Sequence, residues 1–152
     1  MREEGVTKIP AEAGFIDGEG FFLIDINTKR YSKTGWFVTL RFQIILHKRD
    51  LKLLELIKAT LGVGNIYADG KDCLQFKVSS IEQLQVVINH FDIYSLITQK
   101  QADYLLWREA FLIVSRKDHL TPEGLQKIVA IKASMNLGLS PALKAAFPRV
   151  LQ

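Results

Sequence analysis

Apolar positions along the chain follow two periods. In residues 21–29, Phe22, Ile24 and Ile26 alternate with Leu23, Asp25, Asn27 and Lys29. In residues 36–46, Trp36, Val38, Leu40, Phe42, Ile44 and Leu46 alternate with Phe37, Thr39, Arg41, Gln43 and Ile45. A period of two predicts strands with one greasy and one mostly polar face. Leu51, Leu54, Ile57 and Leu61 then recur at helical spacing, with Asp50 placed to cap the helix and Gly62 to stop it. A second strand pair, 65–68 and 74–79, flanks Asp69-Gly70-Lys71-Asp72, where Asp-Gly signals a turn. Ser80-Ile81-Glu82-Gln83 reads as a capping box opening a helix to about Phe91, and Thr98-Gln99-Lys100-Gln101 as another opening a helix to about Val114. Tyr104, Trp107 and Phe111 in that last helix share a core-facing spacing. Thr121-Pro122-Glu123 starts a helix expected to end near Gly138, and Ser140-Pro141 starts a short last one. Ahead of all these, residues 10–18 read as a short helix with Pro10 in its first turn and Gly18 and Gly20 ending it.

The order is α-β-β-α-β-β-α followed by helices, which implies an α+β domain. Its four-stranded, mainly antiparallel sheet would carry helices on the apolar face and leave the polar face open. A length of 152 residues fits one domain, with a core over about 8–138 and a helical tail over 139–152. The open face would present Asp25, Asn27, Lys29, Thr39, Arg41, Gln43, Asn65, Tyr67, Gln75 and Lys77, with Arg30 at the strand end. Alternation alone is satisfied by a solvated face. The same amide and basic groups also match base edges and phosphates, and a two-stranded ribbon fits a DNA major groove.

Composition narrows the classes. Hydrophobic residues at 48% and charged residues at 24% give enough apolar side chain for a core and argue against disorder. No apolar run is long enough for a membrane helix, and Met1-Arg2-Glu3-Glu4 is not a hydrophobic leader, so a soluble intracellular protein is expected. The single cysteine, Cys73, has no disulfide partner in the chain and is expected as a small buried thiol. His47, His90 and His119 follow no metal-ligand spacing. Twenty Lys and Arg against 16 Asp and Glu leave a net charge of +4, which suits a polyanion where the surplus is clustered and serves only solubility where it is scattered.

The segment Glu12-Ala13-Gly14-Phe15-Ile16-Asp17-Gly18-Glu19-Gly20 is unusual for a buried helix, with three of its nine residues glycine. Each glycine inside a helix costs about 1 kcal/mol relative to alanine, which close packing must offset. Gly14 and Gly18 stand four apart on one helix face, where missing side chains let a second helix approach. Glu19 follows at the helix end. If two copies of this helix pair, two Glu19 carboxylates converge beside the negative helix C-termini. Oxygen donors in such a cluster suit Mg²⁺, which can hold a phosphodiester and activate water.

At these residues the chain resembles the LAGLIDADG homing endonucleases, whose motif Ala13-Gly14-Phe15-Ile16-Asp17-Gly18-Glu19-Gly20 follows closely. Phe42-Gln43-Ile44, Leu61-Gly62-Val63-Gly64, Ile97-Thr98-Gln99-Lys100-Gln101 and Met135-Asn136-Leu137-Gly138-Leu139 also look like that family, so the likeness covers nearly the whole chain. It implies an αββαββα domain with a saddle-shaped sheet in the major groove and the motif helix at a two-fold interface formed by Ala11, Gly14, Asp17 and Gly18. By the same resemblance, Glu19 and the main-chain carbonyl of Gly18 bind Mg²⁺ or another divalent cation, Lys100 stabilises charge near the scissile phosphate, and Gln43 positions water or reads a base. Asp17 is expected as a structural hydrogen-bond acceptor. Glu12 departs from the leucine usual at its position and is expected in the wet first turn.

The implied reaction is Mg²⁺-dependent hydrolysis of both strands of duplex DNA, leaving staggered 3′ overhangs. Family members carry the motif once per subunit of a homodimer or twice per chain. A single motif implies a homodimer on a long palindromic or near-palindromic site. The run 140–152 resembles the approach to an interdomain linker, which leaves half of a two-motif enzyme, or an engineered single repeat, as the alternative. The resemblance also implies intron mobility and allows an organellar setting, in a mitochondrion or chloroplast. The rival function is a nucleic-acid binder of the same fold without cleavage, an RNA-splicing maturase or a DNA-binding regulator.

Overall fold

Residues with alternating polarity become strands β1 (Gly20–Thr28) and β2 (Trp36–His47) in the computed structural model of the chain, which describes residues 20–97, 99–135 and 138–148. Their turn is closed by the Lys29 N–H donating to the Gly35 carbonyl at 2.9 Å and by the Ser32 hydroxyl donating to the Trp36 carbonyl at 3.2 Å. Helix α1 (Leu51–Leu61) leads to strands β3 (Asn65–Asp69) and β4 (Cys73–Val78), and then to helices α2 (Ile81–Ile93), α3 (Gln99–Ser115), α4 (Pro122–Ala133) and α5 (Pro141–Ala146). The strands form one four-stranded sheet in the order β1-β2-β4-β3, with β4 antiparallel to both of its neighbours. From β1 onward the α+β order is the expected one. The helix expected over 10–18, with Glu12 and the whole glycine motif up to Glu19, lies outside the described residues.

Contacts divide the chain into two units. The first takes residues 20–23 and the described part of 41–101, and the second takes 24–40 and the described part of 102–148. In the first unit, strand alternation buries aromatic rings against α2. Phe22 lies 5.2 Å from Phe42 and 5.7 Å from Phe91 between ring centroids, and Phe42 lies 5.7 Å from Phe91 and 6.4 Å from Phe76. Each such ring contributes about 1.5–3 kcal/mol of burial and favours tilted or edge-to-face contact. In the second unit Ile24, Ile26, Val38 and Leu40 are buried from the strands, and Tyr104, Trp107 and Phe111 are buried from α3 at the expected spacing. β1 is an edge strand, and the Lys132 ammonium of α4 donates to its Ile24 carbonyl at 2.6 Å, placing a charge on that edge where another strand could otherwise pair.

Several local expectations are corrected. Asp50 makes no side-chain cap, because a 3-10 turn, Lys48–Asp50, precedes α1 and His47 Nδ1 accepts the Arg49 N–H at 3.1 Å instead. Ser80 caps α2 by accepting the Gln83 N–H. The Gln83 side chain does not complete the box, since its Oε1 accepts the Gly64 N–H at 3.2 Å. Thr98 lies outside the described residues, and the Gln101 Oε1 accepts the Leu96 N–H at 2.9 Å. Thr121 and Ser140 cap α4 and α5 as expected, but α4 ends at Ala133, five residues before Gly138. Cys73 is half-buried, because its register puts it on the same face as Gln75 and Lys77.

Candidate nucleic-acid interface

The outward face of β2, β4 and β3 is set by register. Gln43, Lys77 and Asn65 form one cross-strand row, Ile45, Gln75 and Tyr67 the next, and His47, Cys73 and Asp69 the third. Facing side chains in such rows stand about 5 Å apart, close enough to act as one surface. Their neighbours in sequence, Phe42, Ile44, Phe76 and Val78, are buried, so the outward groups cannot rotate to the other face without emptying the core.

Gln43 is the most constrained member, only 8% exposed. Its Oε1 accepts from Arg41 Nη1 at 2.7 Å and from Gln75 Nε2 at 3.2 Å. With the carbonyl end held by two donors, the amide N–H groups are the end left to meet an acceptor such as a base edge or an ordered water. Lys77 Nζ lies 5.2 Å from the centroid of the Tyr67 ring, which limits where the ammonium can swing.

In the second unit the same parity along β1 and β2 directs Asp25, Asn27 and Thr39 outward, Asn27 exposed and the other two half-buried. Lys29 Nζ stands 4.6 Å above the Phe37 ring, and the Arg30 guanidinium 5.5 Å from the Tyr31 ring. Sequence reasoning assigned no role to the rings of Phe21, Phe37 and Tyr31. The available signal was their exposure: Phe21 and Phe37 fall on the polar phase of their strands, where a large apolar ring is out of place unless something uses it.

Lys100 occupies the first turn of α3. A cation there opposes the positive end of the helix dipole, and the side chain finds other partners. Its ammonium donates to the Gly20 carbonyl and lies 4.2 Å from the centroid of the Phe21 ring. Gly20 is the residue after Glu19, so Lys100 is tied to the backbone next to the proposed metal-binding acid. Glu19, Gly18, Asp17, Gly14 and Ala11 themselves lie outside the described residues. Among the described residues no group of three or more His, Cys, Asp and Glu side chains could hold a metal, and no helix is long and apolar enough to cross a membrane.

Residues 13–111 match the family described as LAGLIDADG endonuclease. The chain belongs to this family. The matched span takes in the glycine motif, the outward rows of β2, β3 and β4, and Lys100. The chain is 47% identical over 137 residues to "Probable intron-encoded endonuclease 3" of Neurospora crassa, a match covering 89% of this chain and 26% of that protein. It is also similar to a solved structure of the LAGLIDADG meganuclease I-CpaMI bound to uncleaved DNA, with TM-score 0.90 and 46% identity over 94% of this chain and 48% of that one. The LAGLIDADG homing endonuclease I-SmaMI bound to cleaved DNA superposes with TM-score 0.91 and 43% identity over 93% of this chain and 48% of that chain. The chain therefore spans about a quarter of the length of that relative and about half of each of the two solved chains.

Proposed function

We propose that this chain is the DNA-reading and DNA-cutting domain of a LAGLIDADG homing endonuclease, acting in pairs on a long palindromic or near-palindromic duplex. The observation that carries the reading is the fixed outward cluster of Arg41, Gln43, Gln75 and Lys77 in the same unit as Lys100, whose ammonium sits on the carbonyl after Glu19. Further support comes from the relatives named as intron-encoded endonucleases and from the DNA-bound meganucleases of the same fold. An intron-borne gene with a homing role fits those names.

In this reading the amides and cations along β1 to β4 bind the major groove. Asn27, Gln43, Asn65 and Gln75 meet base edges; Lys29, Arg30, Arg41 and Lys77 meet phosphates. Glu19 and the Gly18 carbonyl, which stand at the metal-binding positions of the family motif, are the donors for the divalent cation. An all-oxygen donor set fits a hard ion such as Mg²⁺, which when bound supplies Lewis-acid charge and an activated water. Lys100 stabilises negative charge at the scissile phosphate, and Gln43 orients water or a base. Two domains, each acting on one strand, leave staggered 3′ overhangs.

The second domain is either another copy of this chain or a covalent partner. The chain covers 48% of each of the two solved chains, as one domain of a covalent pair would. Light scattering on the 152-residue chain separates the two: twice the chain mass with Mg²⁺ supports a homodimer, and a monomer at every concentration refutes it.

Cleavage is tested with Mg²⁺ and a library of palindromic duplexes. The unaltered chain is expected to cut, and Glu19→Gln is expected to bind without cutting. Equal cutting by both proteins sinks the assignment of Glu19, while binding without cutting by the unaltered chain favours the maturase or regulator reading.

A further inference from the structure

We propose that Phe21 is a positioning residue for Lys100, holding its ammonium at the place where phosphodiester hydrolysis needs it. The proposal rests on the endonuclease reading above and goes beyond it, since it assigns the reaction a residue outside the glycine motif and outside the polar rows.

Phe21 follows Gly20 on β1 and is 40% exposed, although it stands on the strand's polar phase. A ring left that open forgoes part of the burial gain of a core phenylalanine. Its face meets the Lys100 ammonium 4.2 Å from the ring centroid, across a separation of 79 residues in sequence. The Gly20 carbonyl accepts from the same ammonium. The two contacts come from adjacent residues and differ in kind: the carbonyl fixes one N–H, and the electron-rich ring face restricts the remaining swing of a four-carbon stem. The ring thus lowers the freedom that the lysine must lose when a phosphate arrives, which is how an ordered charge contributes more to a transition state than a mobile one.

Misplacing a catalytic group by about 1 Å can cost up to about 100-fold in rate. Because the Gly20 carbonyl remains when the ring is removed, Phe21→Leu is expected to lower the single-turnover cleavage rate at saturating DNA by about tenfold. Dissociation constants for the same duplex in Ca²⁺ should stay within about twofold, because the ring acts through Lys100 placement and not through the groove contacts. Phe21→Trp keeps an aromatic face and should restore most of the rate.

A second readout needs neither metal nor DNA. In ¹³C-resolved NMR spectra the Lys100 εCH₂ protons should be shifted upfield by the ring, return toward the free-lysine position in Phe21→Leu, and stay shifted in Phe21→Trp. The duplex is one selected from the palindromic library by the unaltered chain. Equal rates for Phe21→Leu and the unaltered chain overturn the proposal, as does an unshifted Lys100 signal in the unaltered chain. Failure of the unaltered chain to cut any duplex when it is dimeric in solution, with the Lys100 signal shifted, overturns the endonuclease reading and the role built on it while leaving the ring–lysine contact standing.

Discussion

A matched pair of glycine substitutions separates backbone strain from close packing beneath the outward rows of β2, β4 and β3. Gly62 and Gly64 both have left-handed backbone, with φ of +78° and +96°. A Cβ at Gly62 would meet nothing within 4 Å. At Gly64 it would stand 2.6 Å from Cε1 and Cζ of Phe76 and 2.9 Å from Cγ2 of Val78. Left-handed backbone costs a residue with a Cβ about 1–2 kcal/mol, so Gly62→Ala should lose about that much. Gly64→Ala carries the same cost plus an overpacking penalty of about 1–3 kcal/mol. The ring has no easy escape, because Phe76 is fully buried and packed edge-to-face on Phe42. Gly64→Ala should therefore lose about 2–5 kcal/mol in total.

Urea unfolding followed by circular dichroism measures both losses. In a chain of this size each kcal/mol should lower the thermal midpoint by about 2–4 °C. Phe76→Leu removes the atoms in conflict, so in a double-mutant cycle it should recover about 1 kcal/mol or more of the Gly64→Ala loss. Since Phe76 lies between Gln75 and Lys77, the Gly64→Ala protein should also bind duplex DNA more weakly. Equal losses at the two glycines with no coupling to Phe76 would refute the packing argument.

Two further outcomes follow from the same structure. Burial lowers the pKa of His90 from its usual 6.5, and burial outweighs the opposing pull of Asp118 to lower that of His119, whose buried Nδ1 makes no hydrogen bond. The unfolded chain then binds more protons near pH 6.5, so the contribution of these two histidines is present in full above that value and is lost as the pH falls through their lower folded-state values. Urea midpoints measured from pH 7.5 to 5 should fall on the acid side, and His90→Gln should flatten part of the decline; an unchanged slope would refute the assignment to His90. At the sheet edge, Lys132→Met removes the donor to the Ile24 carbonyl and should cost about 1–2 kcal/mol, with faster hydrogen exchange along β1, whereas Lys132→Arg should keep most of the stability. A methionine variant as stable and as protected as the unaltered chain would show that this edge contact contributes nothing.

Much of this protein is legible along the chain because its signals are local. Alternation in 21–29 and 36–46 reports the two faces of β1 and β2 directly, since successive side chains of a strand must point to opposite sides. Ser80, Thr121 and Ser140 cap their helices through bonds that span three residues. The glycine motif and the spaced segments as far as Gln101 carry the LAGLIDADG family, which the match over residues 13–111 bears out.

What escaped depends on partners distant in sequence. Gln83 leaves its own helix cap for the Gly64 N–H, 19 residues away, and the turn that lets His47 take the capping role of Asp50 also receives the Asp72 carbonyl on its Lys48 N–H. Cys73 is half-buried because its register with His47 and Asp69 puts it on the outward face, and register is a property of paired strands. The ring of Phe21 reads along the chain as one more apolar residue. Only the folded sheet and helix bring it beneath Lys100, because side chains so far apart meet through tertiary packing and through no local rule.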